Sequence, residues 1–563
     1  MNVFQPVKIY VSKMIQDAGP GMKVLLMDRE TIGIVSMVYS QTEILQKEVY
    51  LFEQIDKGNS GQIMKHLKCL VFLRPTKENV EALVAELKNP RFGIYYVFFS
   101  GIISKASIKI LAESDEEEVV REVQEYYADY YAVGSHVFSI NLEKPIQGME
   151  WEPQSLQRAT QGVLSVFLSL KKSPLICYHG ASKLARKLAE NVKDVMTKES
   201  SLFDFRKSDP PLLLILDRRS DPITPLLNQW NYQAMVHELL TIKNNRVSLA
   251  GVVNAPKDLR EVILSAEQDE FYATNMYLNF GDIGQTIKAL MDEFQVKAKS
   301  HQKVESISDM KAFVESYPQF KKMSGTVTKH VTLVAELSRL VSTHCLLDVS
   351  EAEQELACQE NHSQSLQKVK RLVNTDKVRD VDAARLVMLY GLRYNRHSSN
   401  DFEGLIDSLK RRGVPDHLVE LCRLVVEYSV ISTEASKAFL TTKDVSKMTE
   451  KFFKGMKGIE NVFTQHTPVL KQTLEELFRG RLAEDAYPYV TERPSTRVQD
   501  IVVFIVGGIT YEESLCVHQL CRQNSGIRIV LGGTYVHNSQ SFLNDISAAV
   551  SGLSSKNPRV KHT

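Results

Sequence analysis

Short apolar runs alternate with amphipathic stretches at both ends of the chain, whereas the middle shows only helical periodicity. Because the runs are apolar throughout, they are typical of strands that are buried on both faces of a parallel sheet. Amphipathic patterns between them, such as residues 77–87, predict covering helices. An acid-rich pattern predicts a further helix over 115–131. The predicted strands are 24–27, 49–52, 69–73, 94–99, 137–142, 175–178, a run from 212, 501–506 and 527–531.

The last two strands are separated from the others by a long helical region, from about residue 249 to 478. Two strands alone bury too little surface to form a stable sheet. We therefore expect them to join the sheet that begins near Leu175, so that the helical region is an insertion. The predicted fold class is α/β plus all-α, with two parallel-sheet domains and a large helical domain. The expected domains are 1–142, then 143–248 together with 480–563, and 249–479.

The composition is that of a folded globular protein, with 43% hydrophobic and 24% charged residues over 563 positions. A net charge of +1 gives no strong field that would indicate nucleic acid or acidic lipid as a partner. Seven dispersed cysteines without a CxxC pair favour reduced thiols in a cytosolic protein over disulfides or zinc. The first residues lack the pattern of a secretory signal, and no apolar run approaches the ~18 residues of a membrane span.

One segment, residues 212–240, combines an apolar run, a charged turn and an amphipathic stretch. The run ends at Asp217, Arg218, Arg219 and Asp221. Thr224 and Pro225 then stand where an N-cap and a first helical residue belong, since threonine accepts a backbone N–H bond and proline has none to lose. Apolar residues follow at helical spacing: Leu226, Leu227, Trp230, Ala234 and Met235. This pattern predicts a strand, a charged elbow and a long amphipathic helix.

The charged elbow allows two interpretations. Asp217 and Asp221 could be metal ligands or acid–base carboxylates, but the neighbouring arginines favour a structural ion-pair network. Glu238 lies near the C-terminal end of the predicted helix, where the helix dipole disfavours an anion. It is either solvated or compensated, and we expect a basic side chain to compensate it. Thr224→Asn should keep a cap, so a defect would report on packing around the elbow.

Two diglycine turns near the end are the remaining candidates for chemistry. Gly507 and Gly508 follow a predicted strand, as in a phosphate-binding turn, but neither G-x-G-x-x-G nor GK[ST] is present. Thr510 and Glu513 are spaced as a capping box, which would place a carboxylate at the positive end of the helix. His537 follows the second turn, Gly532–Gly533, and a lone histidine beside a turn is more often a surface or hydrogen-bonded residue than a catalytic base. No catalytic residues, metal ligands or cofactors are therefore predicted.

Several of these stretches resemble the Sec/Munc (SM) family of syntaxin-binding proteins. The resemblance rests on residues 212–240, on MKVLLMDRET near the start, on 310–323, and on VVFIVGGITYEE and IVLGGT near the end. It implies a three-domain arch whose second domain comes from two chain segments. It also implies a non-enzymatic protein that binds SNARE proteins. Within the family, the stretches TPLLNQWNYQAMVHELL, MSGTVTKHV and YVHNSQSFL are most similar to members that serve traffic between the trans-Golgi network and endosomes.

The resemblance further implies a helical hairpin around Pro318 that extends to template SNARE helices. A proline inside a helix removes one hydrogen bond and bends the helix, at a cost of ~3 kcal/mol. The chain can therefore form a bent hairpin or a longer helix here, and a plain kink or a helix–turn–helix boundary is the alternative. The residues expected to contact SNAREs are Met310, Phe313, Tyr317, Pro318, Phe320 and Met323.

A pocket for the N-terminal peptide of a syntaxin is the second site that the resemblance implies, in the first domain. By their position relative to the strand at Val137, the expected pocket residues are Leu111, Tyr127, Tyr130 and Tyr131. Aromatic side chains with one polar tip suit an apolar peptide anchor, but core residues under the sheet fit the pattern equally well. Acidic residues 115–118 would attract a basic peptide or form a solvated helix face.

We hypothesise that the protein binds a syntaxin-type Qa-SNARE and the assembled SNARE bundle, and promotes SNARE assembly in trans-Golgi, endosomal and vacuolar or lysosomal transport. The resemblance also implies a Rab effector of the rabenosyn type as a partner, and a cytoplasmic protein that reaches membranes through its partners. The alternatives are a non-catalytic scaffold or tether without SNARE templating, and an enzyme with a Rossmann-like sheet. Thermal shift separates them, since only the enzyme would be stabilised by nucleotides.

Overall fold

The computed structural model contains two compact units. Unit 1 comprises residues 1–218, 476–509 and 517–536, and unit 2 comprises residues 219–475 and 510–516 together with the residues from 537 onward. The side chains of residues 57, 299–318, 430–437 and 551 are not described. The structure describes residues 1–57, 62–205, 209–253, 255–256, 259–302, 307–359, 361–437, 462–494 and 497–551.

The first sheet of unit 1 has five parallel strands in the order β2-β1-β3-β4-β5. Its strands are β1 (Lys23–Met27), β2 (Val49–Gln54), β3 (Met64–Leu73), β4 (Phe92–Phe99) and β5 (Val120–Glu125). The helices before and between them are α1 (Phe4–Asp17), α2 (Arg29–Val38), α3 (Gln41–Leu45), α4 (Lys77–Lys88) and α5 (Lys105–Ser114). One core cluster lies between the sheet and α4 and α5, and includes Leu26, Val71, Leu83, Val97 and Leu111.

The second sheet of unit 1 confirms that the late strands join the earlier ones. Its order is β10-β11-β14-β15-β7-β6, and only β6 is antiparallel to its neighbour. The strands are β6 (Tyr131–Gly134), β7 (Val137–Ser139), β10 (Leu175–Tyr178), β11 (Leu212–Asp217), β14 (Asp500–Val506) and β15 (Arg528–Gly533). The chain between β7 and β11 also forms the short pair β8 (Ile146–Gln147) and β9 (Glu150–Trp151) and the helices α6 (Pro153–Leu170) and α7 (Lys183–Lys198).

The rest of the described chain is mainly helical, as its periodicity predicts. A small antiparallel pair, β12 (Arg246–Ser248) and β13 (Glu261–Ile263), interrupts it. Across the described residues, no helix combines the length and apolar composition needed to cross a bilayer. The helices are α8 (Tyr232–Leu240), α9 (Glu270–Asn275), α10 (Phe280–Gln302), α11 (Ile307–Thr343), α12 (Leu346–Cys358), α13 (His362–Val373), α14 (Asp380–Tyr394), α15 (Phe402–Arg412), α16 (Asp416–Lys437), α17 (Val469–Phe478), α18 (Tyr511–Gln523) and α19 (Ser539–Ser551).

The predicted acid-rich helix over 115–131 is wrong, because this segment forms β5 and the start of β6. Its valines are β-branched and favour the extended chain. Asp115 starts the strand by accepting hydrogen bonds from the backbone N–H groups of Val119 and Val120, both at 2.9 Å. The strand that begins at Val137 also differs from expectation, since it joins the second sheet through Leu531 instead of the first.

The long helix predicted from Thr224 is also wrong. Residues Thr224–Leu226 form a single 3₁₀ turn, Leu227 is extended, and the helix begins only at Tyr232. The true N-cap is Asn231, whose side chain accepts a hydrogen bond from the Ala234 N–H at 2.9 Å. Between the two, Glu353 of α12 binds the backbone N–H of Asn228 at 2.8 Å and its side-chain amide at 3.0 Å. This buried carboxylate holds the segment in a non-helical conformation.

Candidate functional site

A pair of long helices, α10 and α11 of unit 2, forms a helical hairpin, with Pro318 inside α11 and not at the bend as the bent form would have it. The two helices pack against each other, and the rings of Phe294 and Phe320 stack with centroids 5.2 Å apart and planes at 17°. Ile283 and Ile287 are buried near the start of α10, whereas further along the helix Met291 is 37% exposed and Val296 is 69% exposed. The hairpin therefore presents apolar side chains to solvent beyond its buried base.

Helix α11 runs unbroken from residue 307 to 343, so its backbone passes through Pro318 as a single long helix. Of the two forms considered from the sequence, the structure has the longer helix. Phe320 and Met323 are partly exposed on it. The structure does not describe the side chains of the other four predicted residues, Met310, Phe313, Tyr317 and Pro318. The contacts of all six residues with SNAREs stay a prediction.

At the edge of the first sheet, helix α5 lies beside the last strand, β5, and we call the surface between them the α5–β5 groove. Both ends of the helix are tied to the strand: the N–H of Ile103 donates to the Glu125 carboxylate at 2.8 Å, and Asp115 caps the start of β5. Helix and strand therefore run side by side in opposite directions. Ile108 is 40% exposed and Val123 is 41% exposed along them. An exposed apolar groove next to acidic residues 116–118 can bind an apolar peptide with basic residues.

The predicted pocket residues are only partly brought to this groove. Leu111 projects from α5 into the core cluster below it and is 5% exposed. Tyr127 is partly exposed and donates its hydroxyl to Glu125 at 2.7 Å. Tyr130 is fully buried and donates to the Val3 carbonyl, whereas Tyr131 is buried and donates to Glu30, both at 2.9 Å. The core interpretation therefore holds for Tyr130 and Tyr131, and sequence reasoning missed Ile108 and Val123.

The residues of the charged elbow are buried, and Asp217, Arg218 and Asp221 form hydrogen bonds within the fold. Asp217 accepts from the Ser182 hydroxyl at 2.5 Å, and the Arg218 guanidinium donates to the Gly508 carbonyl at 3.0 and 3.1 Å. Asp221 accepts from the Thr224 N–H at 3.0 Å and from the Val469 N–H at 3.1 Å, which caps α17. These contacts support a structural role, while ion pairs among the four charges stay a prediction.

Thr224 is a buried bridge and not a helix cap. Its hydroxyl donates to Asp221 at 2.6 Å, so the contact of 3.0 Å with the His466 Nε2 must have histidine as the donor. Six residues further along the chain, Trp230 donates its indole N–H to Ser350 at 2.7 Å and packs against Phe463. Pro225 is buried in the 3₁₀ turn. Residues distant in sequence, such as His466 and Ser350, thus stabilise the segment from Thr224 to Trp230.

We expect Thr224→Asn to destabilise unit 2 by about 1–3 kcal/mol, because the longer amide overpacks a site that is 1% exposed and disturbs the bond from His466. Urea unfolding measures the loss, with Thr224→Ser as the control because it keeps the hydroxyl. A Thr224→Asn variant as stable as wild type would contradict this role.

Glu238 is compensated as predicted, since the Arg385 guanidinium lies 2.5 Å from its carboxylate. Arg385 is fully buried and also contacts Glu353 at 3.1 Å and Asp382 at 3.0 Å. The N–H of Ser539, at the start of α19, donates to Glu238 at 2.9 Å. The N-terminus of α19 and the Arg385 guanidinium together offset the unfavourable interaction between the Glu238 carboxylate and the C-terminal end of the α8 dipole.

The diglycine turn after β14 contains the expected capping box. The Thr510 N–H donates to Glu513 at 2.9 Å, and the Glu513 N–H donates to the Thr510 hydroxyl at 3.2 Å. The carboxylate of Glu513 thus occupies the Thr510 N–H, one of the backbone donors at the start of this helix. All seven cysteine thiols are free. In the part of the chain that the structure describes, no three His, Cys, Asp or Glu side chains come together as metal ligands.

Comparison with known proteins decides the family. The model of the Sec1 family matches residues 23–545. The chain belongs to the Sec1 family. This confirms the resemblance inferred from the sequence, and the match covers both sheets and the helical region between their strands.

Individual relatives of this Sec1-family chain are similar over nearly its whole length. Vacuolar protein sorting-associated protein 45 of Homo sapiens is 60% identical over 99% of this chain and 97% of that protein. The homologue of Arabidopsis thaliana is 45% identical over 98% of both. A solved structure of the SM protein Vps45 in complex with the Qa SNARE Tlg2 (1–310) has a TM-score of 0.91 and 44% identity, covering 98% of this chain and 99% of that one.

Proposed function

We propose that this Sec1-family chain binds a syntaxin-type Qa-SNARE and promotes assembly of the SNARE complex for vesicle fusion. The observation that carries the proposal is the likeness, at 44% identity over 98% of the chain, to Vps45 in complex with the Qa SNARE Tlg2. Two exposed apolar surfaces, the α10–α11 hairpin and the α5–β5 groove, support it. The transport steps are those between the trans-Golgi network, endosomes and the vacuole or lysosome.

The α5–β5 groove is the proposed site for the N-terminal peptide of the Qa-SNARE, with Leu111 as its floor and Ile108, Val123 and Tyr127 as its walls. Calorimetry with the cytoplasmic part of a Qa-SNARE, with and without its N-terminal residues, tests this. Ile108→Asp should weaken binding about tenfold, the effect of losing one well-buried apolar anchor. Ile110→Asp is the control, because positions 108 and 110 are separated by about 160° around the axis of the same helix. Equal affinity of the Ile108→Asp variant and wild type would exclude the groove.

The α10–α11 hairpin is the proposed template for SNARE helices, with Met310, Phe313, Tyr317, Phe320 and Met323 as contact residues. A rigid surface that holds one helix reduces the ordering cost of adding the next. No bond-making step is needed for this, so we propose that the protein acts without catalysis or a cofactor. The Glu513 carboxylate in the diglycine turn supports this view.

We expect Pro318→Ala to accelerate SNARE assembly. Proline leaves the carbonyl four residues earlier without its helical N–H partner, and replacing it restores a bond in a helix that proline weakens by ~3 kcal/mol. The gain favours the long form of α11 that the structure contains. Fluorescence-monitored assembly of purified SNAREs measures the effect. An unchanged or slower rate would count against a template in this segment.

The remaining partners and the location complete the proposal. The protein is proposed to reside in the cytoplasm and to reach trans-Golgi and endosomal membranes through the SNARE and a Rab effector of the rabenosyn type. We also propose the domain division 1–142, 143–248 with 480–563, and 249–479, with β6 and β7 of the first segment completing the sheet of the second domain. Immunoprecipitation of the tagged chain from cells tests both partners, and recovery of neither would leave a tether without SNARE specificity as the better description.

A further inference from the structure

Burial is distributed unevenly along the α10–α11 hairpin. Among the described side chains, none in 288–298 or 319–329 is buried, so these stretches have each other as their main support. Burial begins abruptly at His330, which is 0% exposed, and continues at Leu333 and Leu337. The hairpin therefore has a fixed base and an exposed outer part, and the boundary lies at residues 329–330.

His330 is held from both sides of its ring. Its Nε2 lies 2.9 Å from the Asp269 carboxylate, and its Nδ1 lies 2.7 Å from the Tyr232 hydroxyl. A carboxylate only accepts, so Nε2 carries the proton and Nδ1 accepts from the tyrosine. Burial lowers the pKa of His330, against the opposing effect of Asp269, which favours this neutral form. The Phe271 ring packs on it at 4.6 Å between centroids.

Asp269 connects α9 to α11 through one carboxylate. It accepts the backbone N–H of Tyr272 at 3.0 Å and so caps α9, and it contacts the ammonium of Lys329 as well as His330. Lys329 also donates to the carbonyl of Ile263 in β13, at 3.1 Å. Burial raises the pKa of Asp269, but His330 and Lys329 outweigh burial and hold it well below its usual range. The carboxylate is therefore charged, and it binds the Tyr272 N–H, Lys329 and His330 at once.

We propose that Asp269, His330 and Tyr232 are positioning residues that fix the base of α11 and so hold the adjoining stretch 319–329 in place. This inference rests on the proposed SNARE-binding function of the hairpin. Pro318, where the helix lacks one N–H bond, lies about 18 Å further along α11 at 1.5 Å per residue. The stretch between His330 and Pro318 would then be a rigid arm that presents Phe320 and Met323 to a SNARE helix.

Hydrogen exchange of the full chain tests the base directly. Asp269→Ala should accelerate exchange in peptides covering 319–329 by about tenfold, the factor for losing a charged hydrogen bond, and leave β1 and β14 unchanged. Asp269→Asn should have a smaller effect, since its side-chain oxygen can still cap α9 and accept from His330. Glu270→Ala is the control, because this neighbouring carboxylate is exposed and should leave exchange unchanged.

Tyr232→Phe keeps the proposal testable if Asp269→Ala does not fold, because it removes only the hydroxyl that donates to His330. It should accelerate exchange in 319–329 alone and slow SNARE assembly, while binding of the N-terminal peptide in unit 1 is unchanged. Exchange like wild type in both Tyr232→Phe and Asp269→Asn, or a uniform rise throughout unit 2, would overturn the inference. Failure of the wild-type chain to accelerate assembly would instead refute the proposed function. The exchange data would still show whether Asp269, His330 and Tyr232 fix the base of α11.

Discussion

We expect Glu238→Lys to lower the free energy of unfolding by about 3–5 kcal/mol, the range for breaking a buried ion pair. The new ammonium would lie beside Arg385, which is 0% exposed, and at the N-terminus of α19, where a cation is unfavourable. Glu353 and Asp382 would still face Arg385, but Ser539 would lose its acceptor. We therefore expect a lower melting temperature and a reduced yield of soluble protein.

Glu403→Lys is the matched control for this substitution. Glu403 pairs with Arg423 at 2.6 Å, but both side chains are largely exposed, at 70% and 45%. Exposed pairs contribute about 0–1 kcal/mol, so this variant should unfold almost like wild type. Glu238→Gln should fall between the two, because its amide oxygen still accepts from Ser539. Equal stability of Glu238→Lys and Glu403→Lys would contradict the assigned role of Glu238.

We expect Gly532→Ala to destabilise unit 1 by about 1–3 kcal/mol or more, the usual range for overpacking a core. Gly532 lies opposite Phe138 in the parallel pair β15–β7, and an added Cβ would lie 2.1 Å from the tip of the Phe138 ring. That ring cannot move aside easily, since it is fully buried and packs on Phe504 and Tyr130. Thermal unfolding of the purified chain measures the loss.

A second substitution separates this clash from other effects of alanine. Phe138→Leu shortens the ring side chain, so adding it to Gly532→Ala should recover part of the lost stability as a positive coupling energy. Gly134→Ala, in the adjacent strand β6, is the control, since nothing lies within 4 Å of its added Cβ. Additive losses in the double variant would show that the ring is not the cause.

Most strands of the two sheets were predictable because they leave a local trace in the sequence, whereas β5 was predicted as a helix and β7 was expected in the first sheet. A strand buried on both faces must be apolar throughout, and the runs at Leu212 and Ile501 therefore indicated their own positions. The two C-terminal strands, 501–506 and 527–531, were too few to stand alone, which indicated that they join the sheet that begins near Leu175. The start of α8 left no such trace. Leu227 to Asn231 are kept out of the helix by Glu353, a residue more than a hundred positions away that hydrogen-bonds Asn228.

The same distinction between local and distant information applies to the candidate sites. The need for a cation near Glu238 follows from its place on a helix, and the structure confirms it, but nothing local indicates that Arg385 supplies it. Tyr130 and Tyr131 have the composition of a binding pocket and the burial of a core. The exposed Ile108 and Val123 were missed because the segment containing Val123 was predicted as a helix, which hid the α5–β5 groove.

The most direct test of the proposed function is the rate at which purified SNAREs assemble with and without this chain. The cognate Qa-SNARE with its partner SNAREs should assemble faster when the protein is present, and Ile108→Asp and Tyr232→Phe should each reduce that acceleration. A rate that does not depend on the protein, for every Qa-SNARE tried, would contradict the account.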